Sequence, residues 1–250
     1  MTDPVPTAAS DAAALAQARA WVDAAQRIMV LTGAGVSAES GVPTFRDALT
    51  GLWARFNPED MATEAAYRKH PRMVWDWYQE RRERVLQAQP NPAHVAIAAL
   101  AKRKTVTLVT QNVDGLHQRA GSEGVIELHG NLFANKWLGG CGKCDIATAE
   151  PGRPPRCATC GAMLRPGVVW FGEQLPLVAN YRAEEAANTC DVCVVVGTSG
   201  MVYPAAGLPG LAKDHGAKVI VVNPEPSALD ATADLVIHQP AGVCLPAMLG

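Results

Sequence analysis

The sequence predicts an α/β fold: a doubly wound parallel sheet with two inserted stretches. Three observations point to it. Short β-branched runs recur along the chain, helix-length segments separate them, and glycine or polar clusters stand at their carboxyl ends. With 250 residues, 48% hydrophobic and 18% charged, the chain is long enough to bury a large core without disulfides. Its 22 basic and 24 acidic residues leave a formal net charge of -2, so no global positive field exists to hold a phosphate backbone. A dedicated nucleic-acid binder is disfavoured.

Ser10 is expected to cap a helix that runs from Asp11 to about Gln26, with Leu15, Ala18, Trp21, Val22 and Ala25 on one apolar face. This opening stretch carries Asp3, Asp11 and Asp23 and lacks the basic start and apolar run of a secretory signal. The longest apolar runs, Val192 to Gly197 and Val219 to Val222, are far shorter than the roughly 20 residues that cross a bilayer. Seven cysteines, an odd number, without such a signal fit a reducing compartment. A cytoplasmic protein with no membrane association is therefore expected.

Strands are predicted at Arg27 to Thr32, Thr105 to Thr110, Val125 to Leu128, Val192 to Val196, Lys218 to Val222 and Leu235 to His238. Most are apolar throughout. With the helix-length segments Ala93 to Lys102 and Ala205 to His215 between them, they read as parallel strands covered on both faces. Two stretches break the alternation. Residues 47–91 are charged and aromatic, with Trp53, Phe56, Tyr67, Trp75, Trp77 and Tyr78, and read as a helical insertion. Residues 131–167 hold glycine, proline and two cysteine pairs with little apolar periodicity, and read as a metal-held insertion.

The strand ends carry the chemistry. They run into Gly33-Ala34-Gly35, Gln111-Asn112-Val113-Asp114, His129-Gly130, Gly197-Thr198-Ser199 and Asn223-Pro224-Glu225. In an open parallel sheet these ends line the ligand crevice, so five segments far apart in sequence should converge on one site. Taken singly, each is also a plausible turn. Gly33 to Ala38 has the G-x-G-x-x-A form of a dinucleotide fingerprint, but Glu39-Ser40-Gly41-Val42-Pro43 breaks the helix that an ordinary dehydrogenase would continue. The longer loop is tipped by Phe45 and Arg46, an arginine suited to phosphate.

Cys141-x2-Cys144 and Cys157-x2-Cys160, separated by 12 residues, supply four thiolates. That set saturates tetrahedral zinc and leaves no open position, so the site is expected to be structural, with iron the alternative metal. Cys190, Cys193 and Cys244 read as core thiols. Of six histidines, His129 is the one placed at the crevice, where an imidazole suits proton removal near neutral pH. His117 falls on the helix after Asp114, while His70, His94, His215 and His238 lie in segments that read as surface or helix.

Gly33 to Arg46, Gln111 to His117 and His129-Gly130 resemble the sirtuins, the NAD-dependent protein lysine deacylases. The cysteine pairs, Val169-Trp170-Phe171-Gly172-Glu173, Gly197-Thr198-Ser199 and Asn223-Pro224 follow in that family's order, so the resemblance runs from about Ile28 to Ala241. It implies a Rossmann-like domain at 1–46, 92–130 and 168–250, with a small domain made of the helical insertion at 47–91 and the zinc module at 131–167. It implies that NAD is consumed as co-substrate, one structural Zn2+ is held, and acyl-lysine proteins or peptides are the substrates. The acyl oxygen attacks the ribose carbon bearing nicotinamide to give an alkylimidate, and His129 then deprotonates a ribose hydroxyl. Nicotinamide, O-acyl-ADP-ribose and free lysine result.

Carried onto this sequence, the resemblance makes His129 and Asn112 catalytic. It places Gly33, Ala34, Gly35, Ser37, Ala38, Phe45, Arg46, Gln111, Asn112 and Asp114 around NAD, with Gly197, Thr198 and Ser199. Asn223, Pro224, Glu225 and Ala241 fall on the adenosine side. Val169 and Phe171 wall the lysine tunnel, and Phe171-Gly172-Glu173 with the segment containing Val202 sandwich the substrate backbone as an added strand. The zinc module is compact, and a monomer is expected.

Tyr78 and Arg81 stand at i and i+3, so a hydroxyl and a guanidinium converge on one helix face and match a carboxylate. By composition alone the same stretch also reads as a solvated helix face beside a core tyrosine. A Tyr-x-x-Arg pair here resembles the class III bacterial sirtuin subgroup that removes succinyl and malonyl groups, with deacetylation beside it. Two rival activities share parts of the pattern. A mono-ADP-ribosyltransferase would use the same NAD pocket, and a zinc-ribbon binding module would need only the four cysteines.

Overall fold

The computed structural model describes residues 8–43 and 61–250. Helix α1 spans Ala8–Ala24 and leads into strand β1, Arg27–Thr32. After a 3-10 turn at Ala34–Ser40, helices α2 (Glu64–Lys69), α3 (Pro71–Gln87) and α4 (Pro92–Ala101) precede β2, Thr105–Thr110. The short α5 (Leu116–Arg119), β3 (Ile126–Glu127), β4 (Gly130–Leu138) and β5 (Met163–Val168) follow. The chain closes with α6 (Leu177–Thr189), β6 (Val192–Val196), α7 (Leu208–Asp214), β7 (Lys218–Val222), β8 (Leu235–Ile237) and α8 (Ala241–Leu249). Among the described residues no helix is long and apolar enough to cross a membrane.

Six strands form one parallel sheet in the order β3-β2-β1-β6-β7-β8. This is the doubly wound architecture that the apolar runs predict. Alternation explains why apolar residues follow one another in those runs: Ile28, Val30, Val194 and Ile220 face one core with α1, α4 and α8, while Met29, Leu31, Cys193 and Val221 face another with α6 and α7. Both faces are buried. The chain changes direction across the sheet between β1 and β6, which opens a crevice at their carboxyl ends.

Three local expectations are corrected. Helix α1 already includes Ala8 and Ala9, so Ser10 lies inside it and is not its cap. The helix expected over Ala205 to His215 is divided into a 3-10 turn at Ala205–Gly207 and α7. The metal-held stretch contains the antiparallel ribbon β4–β5, whose register shifts between Asn131 and Asn135. Apolar residues of that ribbon, Leu132 and Leu164, join Tyr67, Val74, Trp77, Tyr78 and Trp170 in a third core. Arg153 of the cysteine-bearing loop pairs with Asp76 of α3 at 2.8 Å, and Arg82 of α3 donates to the carbonyls of Leu132 and Ala134.

Candidate active site

At the switch point the loops leaving β1 and β6 are in backbone contact. Gly33 N–H donates to Val196 O at 3.0 Å and Gly35 N–H donates to Gly197 O at 2.8 Å. A Cβ on Gly33 would lie 2.7 Å from the Thr198 Cβ, and one on Gly35 would lie 2.8 Å from the Gly197 Cα. Here the fingerprint glycines let two strand-end loops close on each other. The turn that follows ends at Gly41, with φ at 77°, in place of the long helix of a dehydrogenase.

Beneath this loop pair lies a buried polar cluster. Ser37 is fully buried, and its hydroxyl donates to Asp114 Oδ2 at 2.8 Å while accepting from Asn112 Nδ2 at 3.1 Å. The other Asp114 oxygen accepts the Leu116 N–H at 2.9 Å, and Asn112 N–H donates to Thr110 Oγ1 at 3.0 Å. His94 also approaches Ser37, with Nε2 at 3.4 Å from Oγ. Its Nδ1 accepts the Asn91 N–H at the start of α4, so Nε2 carries the proton and donates to Ser37. The sequence reads His94 as surface or helix; it lies on α4, and the imidazole is a fully buried part of this cluster. The signal was the Asn91-Pro92-Ala93-His94 capping box, which turns the imidazole back onto the helix start.

His117 packs on His94 with ring centroids 4.7 Å apart and bonds Thr32 Oγ1 through Nε2 at 2.9 Å. Burial, reinforced by the neighbouring His94, pushes its pKa down to about 3. Gln111 Nε2 donates to Thr198 Oγ1 at 3.0 Å, tying the β2 end to the β6 end.

His129 stands where β3 ends and β4 begins. Its Nδ1 lies 3.0 Å from the backbone oxygen of Gln111, an atom that only accepts, so Nδ1 holds the proton and Nε2 keeps a lone pair. Burial lowers its pKa, against the opposing effect of that carbonyl. The geometry therefore offers an oriented, neutral base. His129 O accepts Val169 N–H at 2.8 Å, which ties the end of β5 to His129. Strand β5 ends at Val168, and Phe171 and Gly172 turn instead of extending further. Alternation still holds locally: Trp170 is buried, Val169 is half-buried and Phe171 is exposed.

The family model described as the Sir2 family matches residues 33–204. The chain belongs to the Sir2 family. It is 90% identical over 245 residues to the "NAD-dependent protein deacylase" of Ralstonia nicotianae (strain GMI1000), covering 98% of this chain and 100% of that protein. A solved Sir2 homolog–NAD complex superposes with a TM-score of 0.86 at 42% identity, covering 94% of this chain and 92% of the other. The structure of Sir2Tm bound to a propionylated peptide gives 0.80 at 31% identity, over 93% of this chain and 95% of that one.

Within this Sir2 chain, Asn223 also lies at a strand end. Its amide donates to Glu225 O at 2.6 Å, so the two residues organise one turn with Pro224 between them. Ala241 opens α8, and Gly242 N–H donates to a Glu39 carboxylate oxygen at 2.6 Å, linking that helix start to the turn after β1. Ser199 and Val202 are half-buried on the segment after Gly197. Phe45 and Arg46 lie outside the described residues.

Tyr78 is buried on α3 and its hydroxyl oxygen accepts the Trp170 indole N–H at 2.9 Å. Arg81, one turn on, has its guanidinium carbon 4.9 Å from the Trp77 ring centre; burial lowers its pKa while Tyr78 and Asp114 act to raise it. Glu173 pairs with the buried Arg165 and accepts Trp170 N–H at 3.0 Å. Burial works to raise the Glu173 pKa, but Arg165 and that N–H hold it below the ordinary carboxylate range.

The sulfurs of Cys141, Cys144, Cys157 and Cys160 all lie within 4.8 Å of one another, with Cys141–Cys144 at 3.7 Å and Cys144–Cys160 at 3.6 Å. Tetrahedral zinc with bonds near 2.3 Å requires sulfur separations of about 3.8 Å, so this set fits the ion. A Cβ on Gly140 would meet the Cys144 sulfur at 2.8 Å, so the knuckle needs a glycine there. Cys190, Cys193 and Cys244 are buried thiols, as expected, and burial pushes Cys190 up to about 11 and Cys244 up to about 12.

Proposed function

We propose that this chain removes succinyl, malonyl and acetyl groups from protein lysines in an NAD-dependent reaction that releases nicotinamide, O-acyl-ADP-ribose and free lysine. The observation that carries the reading is the tautomer of His129, whose lone pair at Nε2 is fixed by the Gln111 carbonyl at the mouth of the strand-end crevice. The similarity to relatives named as NAD-dependent deacylases, and to a homolog seen with NAD, supports the cofactor and the reaction class. The propionylated-peptide complex supports an acylated peptide as substrate.

When bound, NAD supplies a ribose carbon that becomes electrophilic as nicotinamide departs. Asn112 and Asp114, locked through Ser37, present an amide and a carboxylate to ribose hydroxyls and the carboxamide. Backbone around Gly33, Ala34, Gly35 and Ala38, with the hydroxyls of Thr198 and Ser199, receives the phosphates. Asn223, Pro224, Glu225 and Ala241 shape the adenosine end. His129 accepts a hydroxyl proton at Nε2. Val169 and Phe171 wall the lysine channel, while Gly172, Glu173 and Val202 hold the peptide backbone. Tyr78 and Arg81 receive the carboxylate of an acidic acyl chain.

We assign 1–46, 92–130 and 168–250 to the NAD-binding domain, with 47–91 and 131–167 forming the small domain. The four-thiolate set closes the zinc coordination, so the metal's role is to hold that small domain. Seven cysteines with no disulfide among them suit a reducing cytoplasm, the near-neutral charge argues against a nucleic-acid partner, and the chain acts on proteins as a monomer in this reading. The test is nicotinamide release with and without a succinyl-lysine peptide. Release should match lysine freed one for one; release without the peptide, or lysine freed without NAD, would overturn the reading.

A further inference from the structure

Trp170 lies between the peptide-binding turn and the acyl-carboxylate pair, and neither role accounts for its side chain. It is among the largest fully buried residues. The Arg165 guanidinium carbon sits 3.2 Å from its ring centre, Tyr67 packs at 5.2 Å with a 49° tilt, and Glu173 holds its backbone N–H. An indole held in this way has one rotamer. Its N–H donates to Tyr78 at 2.9 Å, and a cation stacked on an indole face makes that N–H the stronger donor.

An indole nitrogen only donates, so the Tyr78 oxygen must accept, and its own proton is turned away from Trp170. We propose that Trp170 is a positioning residue for acyl selectivity: its indole N–H commits the Tyr78 hydroxyl to act as a donor toward the carboxylate of an acidic acyl chain. The inference rests on the reading of Tyr78 and Arg81 as the carboxylate site. Burial raises the Tyr78 pKa, which keeps the hydroxyl protonated and able to donate. The Arg165–Glu173 pair, which holds both Trp170 and the peptide turn, thereby links peptide docking to acyl recognition.

The experiment compares wild type, Trp170→Phe, Tyr78→Phe and the double variant on succinyl-lysine and acetyl-lysine peptides of one sequence. Phenylalanine keeps an aromatic ring under Arg165 and removes the N–H. In Trp170→Phe the ratio of succinyl to acetyl kcat/KM should fall about 3- to 10-fold, carried by KM for the succinyl peptide. In the Tyr78→Phe background the same change should leave the ratio within about twofold, because the two residues act as one unit. Parallel losses on both peptides, or an equal fall in both backgrounds, would overturn the positioning role. A wild type with no preference for succinyl-lysine would overturn the carboxylate reading itself, and the inference with it. A measurement without variants supports the same decision: the Trp170 indole 15N–1H signal should shift with the succinyl peptide and stay still with the acetyl peptide, and equal shifts would count against the proposal.

Discussion

His129 Nδ1 and the Gln111 carbonyl oxygen are 3.0 Å apart, and this one contact sets both the tautomer and the aim of the imidazole. A base must be neutral to act. Because burial lowers the His129 pKa from 6.5, the neutral form persists below that pH. The acid limb of the kcat/KM profile for deacylation should therefore have its midpoint below pH 6.5, and a midpoint above it would contradict the assignment. His129→Ala should abolish turnover while leaving NAD affinity and thermal unfolding close to wild type. Comparable losses of affinity or folding would make the residue structural.

The His94 and His117 rings, packed at a tilt of 58°, lead to a second outcome, read in stability. His117 titrates near 6.5 when unfolded and at about 3 when folded, so below pH 6.5 the unfolded chain binds the extra proton. Its contribution is constant above that pH and is lost as pH falls from 6.5 toward 3. At pH 5 the loss is about 2 kcal/mol relative to pH 8. Denaturant unfolding of wild type and His117→Gln at both pH values checks this. The variant should show a shallower pH dependence, and parallel curves would contradict it.

How far sequence reached depends on what each element needs from its surroundings. Strands 27–32, 105–110, 192–196 and 218–222 were legible to the residue, because their β-branched and apolar residues fill the two covered faces of the sheet and a glycine or polar cluster follows each end. At the sheet edge, β3 pairs only through Ile126 and Glu127, shorter than its apolar run suggests. The β4–β5 ribbon was not legible: Asn, Lys, Arg and Pro interrupt its pattern and its register shifts. The strand-end clusters converge as expected, since parallel topology places them together. His94 was missed because its role depends on Ser37 and His117, residues distant in sequence.

Zinc removal should act on folding. Metal analysis should find one zinc per chain, and Cys144→Ser or chelation should lower thermal stability and activity together. Substitution of other divalent ions that restores turnover with altered rate constants would contradict a structural site.

Arg81→Met should lower desuccinylation roughly 10- to 150-fold, the size of a charge-assisted hydrogen bond of about 1.5–3 kcal/mol, and lower deacetylation far less. Steady-state kinetics on matched peptides checks it. Equal losses on both substrates would return Tyr78 and Arg81 to a packing role.

NAD-dependent transfer of the acyl group is read most directly by mass analysis of the products from one succinyl-lysine peptide incubated with NAD. Free lysine, nicotinamide and ADP-ribose carrying the succinyl group are expected in equal amounts. Free succinate formed without NAD consumption, or ADP-ribose attached to protein with the acyl group still on lysine, would contradict it.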